Sequence, residues 1–474
     1  MSGNREKQLV KNTFIISLSK IAIQSASFLL LPFYTYILSV EEYGIVDVLN
    51  TLVSLGLPII SLQLEQAVFR YLVEARQKKD GSENDIIVTG LMCVATQCVI
   101  GVLICFVASL FFKNEYTWFL AVNIVFAVFA AMLLQISRGL GRMIDYSIAS
   151  FLGSITMIVV NIICLGIFNL GVKGMLIGNI LGQLAIVVFL CIRLKILAKF
   201  SVKRMYRKES AKDLRKYALP LVPNELSWWV FNASDRLIVS VILGVGANGI
   251  LAAASKLPSI LVAVYNVFYI GWVESISLHI YDKDIEEYFN RVFNVIAKLF
   301  YYAILIMLSF MWFIYPIMIN ERYDEGLSLI PILAIGVFFD IIVGLLSSLY
   351  VAKKDTKAIA TTSIMAAVIN IVTHLALINI IGLFAAAVST AVAFTVLALY
   401  RAYDIRKKYN IKVKLNSAVP GLVIFLVVIC AYYTDIFWLK LFTGIIIAFL
   451  ATVFLYKHIK KIVQIFLDKI KKNN

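Results

Sequence analysis

Charge is scarce in this chain. Of its 474 residues only 15% are Asp, Glu, Lys or Arg, while 61% are hydrophobic and the mean hydropathy is +0.90. A soluble globule of that length needs far more polar surface to cover its core, so the composition excludes one. Segments of about ten residues with strict apolar–polar alternation are lacking too, which excludes a transmembrane β-barrel. The six cysteines, Cys93, Cys98, Cys105, Cys164, Cys191 and Cys430, all lie in apolar segments. They form neither a disulfide framework nor a metal-ligand spacing and read as small packing residues. No G-x-x-x-x-G-K-[ST] occurs, so no P-loop is present to hydrolyse ATP.

What the chain has instead is a recurring apolar run of about 20 residues, the length that crosses roughly 30 Å of hydrocarbon. The pattern predicts an all-α polytopic membrane protein with about 14 transmembrane helices. The expected spans are 13–38, 45–69, 86–112, 117–137, 147–169, 172–192, 217–243, 249–278, 292–319, 327–351, 357–379, 382–400, 418–434 and 437–456. The start, "MSGNREKQLVKNTF", is polar and basic and leads into a full-length span, so a retained tail is expected rather than a cleaved signal peptide.

The net charge of +16 sorts by side. With the N-terminus placed in the cytoplasm, the expected outer loops hold only Lys113, Lys173 and Arg322, and Lys20, Arg236, Lys256, Lys298 and Lys440 fall within spans. All other Lys and Arg residues lie in expected inner segments, which fits both termini cytoplasmic by the positive-inside rule. Anionic membrane lipids are the expected neighbours of these basic segments; nucleic acid is not an expected partner. No cofactor or metal site is expected.

The basic stretch "RLKILAKFSVKRMYRKESAKDLRK" (Arg193–Lys216) is the long connection within the first twelve spans and divides them six and six. Two landmarks recur across it. "YGIVDVLNTLVSLGLPI" from Tyr43 resembles "NGILAAASKLPSILVAV" from Asn248, so Gly44 matches Gly249. "VNIICLGIFNLG" (Val160–Gly171) resembles "INIVTHLALINIIG" (Ile369–Gly382), so Asn161 matches Asn370. Repeats with an even number of spans share one orientation, which predicts two parallel six-helix lobes around a central cavity, with substrate held near the midplane between them. The expected organisation is an N-terminal lobe at 1–192, a cytoplasmic basic linker at 193–216, a C-terminal lobe at 217–402, and accessory helices 13 and 14 with a basic tail at 403–474.

The motifs "LSVEEYGIVDVLNTL", "AVFRY", "SDRLIVSVILG", "NGILAAASKLPSIL", "LPILAIG", "KKDTKAI" and "VINIVTHLALINIIGLFAAAVSTAVAF" resemble, in this order, the polysaccharide flippases of the Wzx type. These belong to the multidrug/oligosaccharidyl-lipid/polysaccharide (MOP) exporter superfamily, whose fold is MATE-like. The resemblance covers roughly residues 10–402. It implies that an undecaprenyl-diphosphate-linked oligosaccharide repeat unit moves from the inner to the outer leaflet of the bacterial cytoplasmic membrane. Two lobes would open alternately, and a polysaccharide polymerase and glycosyltransferases are implied partners. His374 stands where Asn is more usual, and the accessory hairpin exceeds the commoner twelve-span form but is shared by lipid II flippases. A MATE-type multidrug antiporter and a lipid II flippase are the alternatives; a membrane glycosyltransferase or polymerase would need a larger catalytic loop.

Three ionisable residues sit in the helices of "FNASDRLIVSVILGVGANGILAAASKLPSIL" (Phe231–Leu261). Counted from the turn, Asp235, Arg236 and Lys256 lie about 11–13 Å deep. Facing lipid there would cost about 2.5–3.5 kcal/mol each, so they are expected to face protein or water. One reading pairs Asp235 with Lys256; the other leaves Arg236 or Lys256 to bind a substrate diphosphate. Arg70, Lys20 and Arg138 are further cation candidates, set against snorkelling or topogenic roles. Glu225 (placed about 13 Å inside the seventh span), Glu65, Glu274 and Asp340 are candidates for ion coupling, because a buried carboxylate exchanges a proton near neutrality. Asp47 is expected to be solvated near the outer surface, and His374 is weighed as a packing residue or a proton carrier. Pro220, Pro223 and Pro258 are expected to kink their spans.

Overall fold

The structure, a computed structural model, describes residues 28–78, 81–111, 114–200, 207–414 and 418–473. These form helices throughout, with no strand among the described residues. In chain order they are α1 (Leu31–Ile37), α2 (Val40–Ser61), α3 (Leu64–Lys78), α4 (Glu83–Phe111), α5 (Thr117–Gly139), α6 (Met143–Gly166), α7 (Gly171–Arg193), α8 (Ile196–Lys199) and α9 (Lys208–Ala218). There follow α10 (Val222–Ile242), α11 (Val245–His279), α12 (Ile285–Ser309), α13 (Met311–Met318), α14 (Ile330–Ala352), α15 (Thr356–Ile381), α16 (Phe384–Tyr409), α17 (Ala418–Tyr433) and α18 (Phe437–Asn473). Among the described residues, 11 helical stretches are long and apolar enough to cross a membrane, and Gly421–Tyr433 is a shorter apolar helix. The chain is a multi-pass membrane protein.

Several expected spans are interrupted. The second breaks at Leu62 and Gln63, both left-handed with φ of 47° and 60°, so α2 ends and α3 restarts as a separate helix. The ninth breaks at Phe310, where α12 gives way to α13. The basic connection is not a plain loop: it carries α8 and α9, and α9 buries Ala211, Leu214 and Ala218 while its charged residues stay outside. Pro220 lies in a 3-10 turn, Leu219–Leu221, and Pro223 in the first turn of α10. These two prolines start a helix, where a missing N–H costs nothing, instead of bending one. α11 runs unbroken through Pro258.

Local chemistry explains the boundaries. Ser39 and Glu42 form a reciprocal capping box at the start of α2, with Ser39 Oγ accepting from Glu42 N–H at 3.1 Å and Glu42 Oε2 from Ser39 N–H at 2.9 Å. Asp355 caps α15 by accepting from Ala358 N–H at 3.0 Å. Asn410 ends α16 in the left-handed conformation.

The chain divides into two compact units, Met1–Ala252 and Ala253–Asn474. In the first, α5, α6 and α7 pack together, α3 packs on both α4 and α5, and α10 runs against α2. Its core is Leu64, Val68 and Leu72 of α3 against Ile87 and Val94 of α4 and Met132, Leu133 and Ile136 of α5. In the second, α14 and α15 both pack on α16, which buries the small residues Ala385, Ala386, Ala387, Ser389 and Ala393. Small residues let helices approach closely where hydrocarbon offers no hydrophobic drive. Outward-facing Leu103, Ile104, Leu422, Leu426 and Phe449 are each more than half exposed, an arrangement suited to lipid and not to water.

Candidate functional site

One charged residue of the Phe231–Leu261 stretch, Arg236, is built into a polar crossing in the first unit. α10 runs along α2, and Trp229 Nε1 donates to Ser54 Oγ at 2.9 Å and to the Thr51 carbonyl at 3.3 Å. About two turns further along α10, Arg236 Nη1 donates to Asp47 Oδ2 in an ion pair. Asn248, fully buried at the start of α11, donates its amide to that same oxygen at 3.1 Å and to the Gly44 carbonyl at 3.3 Å. Asp47 is therefore not simply solvated: it anchors three helices. Its side chain is 16% exposed and that of Arg236 25%. At that exposure a hydrogen-bonded pair costs less to hold than a lone charge.

The guanidinium of Arg236 thus has its own carboxylate, a partner that sequence reading left unnamed. Asp47 carried a signal, since an acid one turn past Tyr43 on a capped apolar helix is costly unless paired. Asp235 is partly buried on α10, and Lys256 partly buried on α11 in the second unit. Lys20 lies outside the described residues. Arg70 is exposed on α3. Arg138 stacks its guanidinium over Phe69 at 4.6 Å and donates to Gln135 Oε1 at 3.3 Å, so it is partly engaged within the first unit.

The acids separate. Glu225 is exposed in the first turn of α10, where the helix dipole favours a carboxylate, instead of lying deep in a span that begins at 217. Glu274 is exposed on α11. Glu65 is 3% exposed, directly after the Leu62–Gln63 break, with Oε2 lacking a hydrogen-bond partner. His374 is fully buried on α15, as is Asn370 one turn before it.

Asp340 belongs to a polar set in the second unit. It is partly buried on α14, within electrostatic reach of Arg401 on α16. Arg401 lies one residue past the expected end of its span, yet it is fully buried. Its Nε and Nη2 donate to Thr362 Oγ1 at 3.1 and 2.9 Å, Nη2 also to Ser363 Oγ at 3.2 Å, and Nη1 to Ser347 Oγ. The ring of Tyr350 lies 5.8 Å away, and the Tyr350 hydroxyl donates to Asp404 at 2.7 Å. A guanidinium's fork geometry lets one side chain satisfy several hydroxyls at once. The sequence held a clue: "TTS" (361–363) and "SS" (347–348) place hydroxyls in apolar spans within about three turns of the same connecting loop.

Both clusters hold polar groups inside helical bundles. No group of three metal-ligating residues occurs among the described residues.

The fold is that of known membrane transporters. A structure described as the inward-facing conformation of a multidrug resistance MATE family transporter of the MOP superfamily aligns with TM-score 0.65 at 13% identity, covering 83% of this chain and 98% of that one. Lipid II flippase MurJ, in an inward closed conformation, aligns with TM-score 0.64 at 16% identity, covering 95% and 99%. MATE in its straight conformation aligns with TM-score 0.55 at 13% identity over 85% and 96%. No curated protein matches in sequence. Residues 9–272, more than half of the chain, match the family described as polysaccharide biosynthesis protein, and the chain belongs to that family.

Proposed function

We propose that this chain is a flippase that carries an undecaprenyl-diphosphate-linked oligosaccharide from the cytoplasmic to the outer leaflet for surface polysaccharide assembly. The carrying observation is the family match over 9–272, set on a fold shared with MATE and MurJ transporters. The lobes of the proposal are 1–192 and 217–402, joined by the basic linker 193–216 and followed by the accessory region 403–474. They open alternately to either side in the cytoplasmic membrane, both termini inside, as the distribution of Lys and Arg favours. The chain acts as a transporter, handing its cargo from glycosyltransferases on one face to a polymerase on the other.

The diphosphate is received by cations. Lys256 is the first choice, because it lies deep in α11 and an exposed approach to lipid there is costly. Arg70 is exposed on α3, and we assign it the role of meeting a headgroup that arrives from the inner leaflet. Arg236 contributes field while tied to Asp47 and gains a second anion only when that pair loosens. Glu65 is buried and Asp340 partly buried, whereas Glu225 and Glu274 are exposed, so Glu65 and Asp340 are the preferred acids for proton or cation coupling.

Lipid II as cargo is favoured by one observation, the MurJ alignment reaching 95% of this chain. A depletion strain separates the two. Loss of the protein should leave the lipid-linked repeat unit inaccessible to periplasmic enzymes while lipid II still reaches the outer face. Lipid II trapped inside, with normal surface polysaccharide, would reverse the assignment. Unchanged exposure of both would end the flippase reading.

A further inference from the structure

The expected outer end of the second unit holds a small cavity that the transport reading leaves unused. It lies where α12 breaks into α13 and meets the accessory pair α17 and α18, and has a volume of about 20 Å³, room for one atom-sized polar group. Ser309, Trp312, Tyr432, Lys440 and Thr443 supply its polar lining. Ser309 is 6% exposed, and its hydroxyl has no hydrogen-bond partner. The indole N–H of Trp312 is likewise buried without an acceptor. The Tyr432 hydroxyl is already committed, donating to the Leu327 carbonyl at 2.6 Å. Lys440 pairs with none of the described carboxylates, although Glu321, Asp324, Glu325 and Asp435 occupy the same end of the unit.

The cavity is therefore donor-rich. Indole N–H donates only, ammonium donates only, and the hydroxyl can do so. What is missing is an acceptor carrying negative charge. A water would satisfy Trp312 and Ser309 yet leave the Lys440 charge without a counter-ion inside an apolar helix, whereas an anionic oxygen answers all three.

Depth identifies the source. Lys440 is three residues into α18, about 4.5 Å from its start. Around that start lie Trp312 and Phe437, with ring centroids 5.1 Å apart, and the exposed Tyr433 and Trp438. Such a girdle of aromatic side chains marks the level of lipid headgroups.

We propose that Ser309, Trp312 and Lys440 form a site for a phosphate oxygen of an anionic lipid headgroup in the outer leaflet, clamping the accessory pair to α12 and α13. The site is separate from the cargo path, so it stands whichever lipid-linked sugar is carried.

The test is native mass spectrometry of the full-length protein released from nanodiscs of equal phosphatidylglycerol and phosphatidylcholine. The wild type should retain phosphatidylglycerol preferentially. Lys440→Ala should lower that retention roughly fivefold, the weight of one basic residue at a lipid surface. Ser309→Ala and Trp312→Phe, which change little volume, should each lower it as well, while Lys440→Arg should preserve it. Equal phosphatidylglycerol retention by the wild type and all the variants would overturn the proposal and leave a water in the cavity. Protection of Lys440 from amine labelling by inorganic phosphate, in phosphatidylcholine alone and as strong as that by phosphatidylglycerol, would assign the site to a soluble anion and overturn the lipid source.

Discussion

Gly44 and Gly249 meet backbone to backbone where α2 crosses the start of α11. A Cβ on Gly44 would lie 1.8 Å from the Val245 carbonyl oxygen, and one on Gly249 would lie 2.1 Å from that of Val40. The contact is reciprocal. Val245 stands to Val40 as Gly249 stands to Gly44, by the sequence offset that relates the two matching landmarks. Equivalent residues meeting each other is the signature of a local two-fold relation, and it supports duplication of this segment.

Replacing either glycine by alanine should force this crossing apart. Overpacking against backbone costs about 1–3 kcal/mol, since a carbonyl cannot rotate away as a side chain does. Gly44→Ala should lower the thermal unfolding midpoint in detergent clearly, whereas Gly336→Ala, whose Cβ meets Thr390 at an ordinary 3.4 Å, should not. Equal midpoints for the two variants would contradict the close approach.

The Arg236–Asp47 pair calls for a double-mutant cycle. Asp47→Asn strands a partly buried guanidinium, and Arg236→Gln strands a carboxylate, so each single change should destabilise more than its share of the double change. A coupling of about 0.5–3 kcal/mol is expected from unfolding curves. Transport adds a second readout. If the double variant still flips its cargo, Arg236 acts through Asp47; if it is inactive though stable, the guanidinium touches the cargo.

Arg401→Lys should be poorly tolerated despite keeping its charge. An ammonium is a point donor and cannot span Ser347, Thr362 and Ser363 together. Each hydrogen bond lost from a charged group is worth about 1.5–3 kcal/mol, so folded yield by fluorescence-detected chromatography should fall sharply. Wild-type yield for the lysine variant would show that the hydroxyl cluster is dispensable.

Asp355 offers a pH test. The Ala358 N–H, then the Tyr409 hydroxyl and Lys408, hold its carboxyl below the ordinary carboxylate range. Because the folded value is depressed, its stabilisation is complete above the unfolded value of about 4 and fades as pH falls through the folded value. Removing the cap with Asp355→Ala should cost about 1 kcal/mol at neutral pH. The gap between variant and wild type should stay constant from pH 8 to pH 5, then close under stronger acid. A gap that already shrinks near pH 6 would point to another group.

The helical class, the approximate positions of the apolar helices and the landmark glycines are legible in the order of residues alone. Those features depend on runs of neighbours: twenty apolar residues suffice to define a span whatever they later touch. Features that depend on a distant partner are not legible in this way. After the Leu62–Gln63 break, Leu64, Ala67, Val68 and Leu72 still recur at helical spacing, so the apolar pattern does not mark the break. Pro220 and Pro223 carried the right message, restricted backbone, but whether such a residue starts a helix or bends one depends on the segment before it. Arg401 stands just past an expected span, and a single charge at the edge of an apolar run looks the same in sequence whether it snorkels out or, as here, turns in.

The order of residues by itself determined that this protein is a bundle of membrane-spanning helices and which ends are basic, because transfer to hydrocarbon and topogenic charge are sums taken locally along the chain. Only the tertiary structure decided that Asp47 claims Arg236 and that three hydroxyls enclose Arg401. Those choices join segments far apart in sequence, and a charge inside a bundle takes its meaning from the one group placed within reach of it.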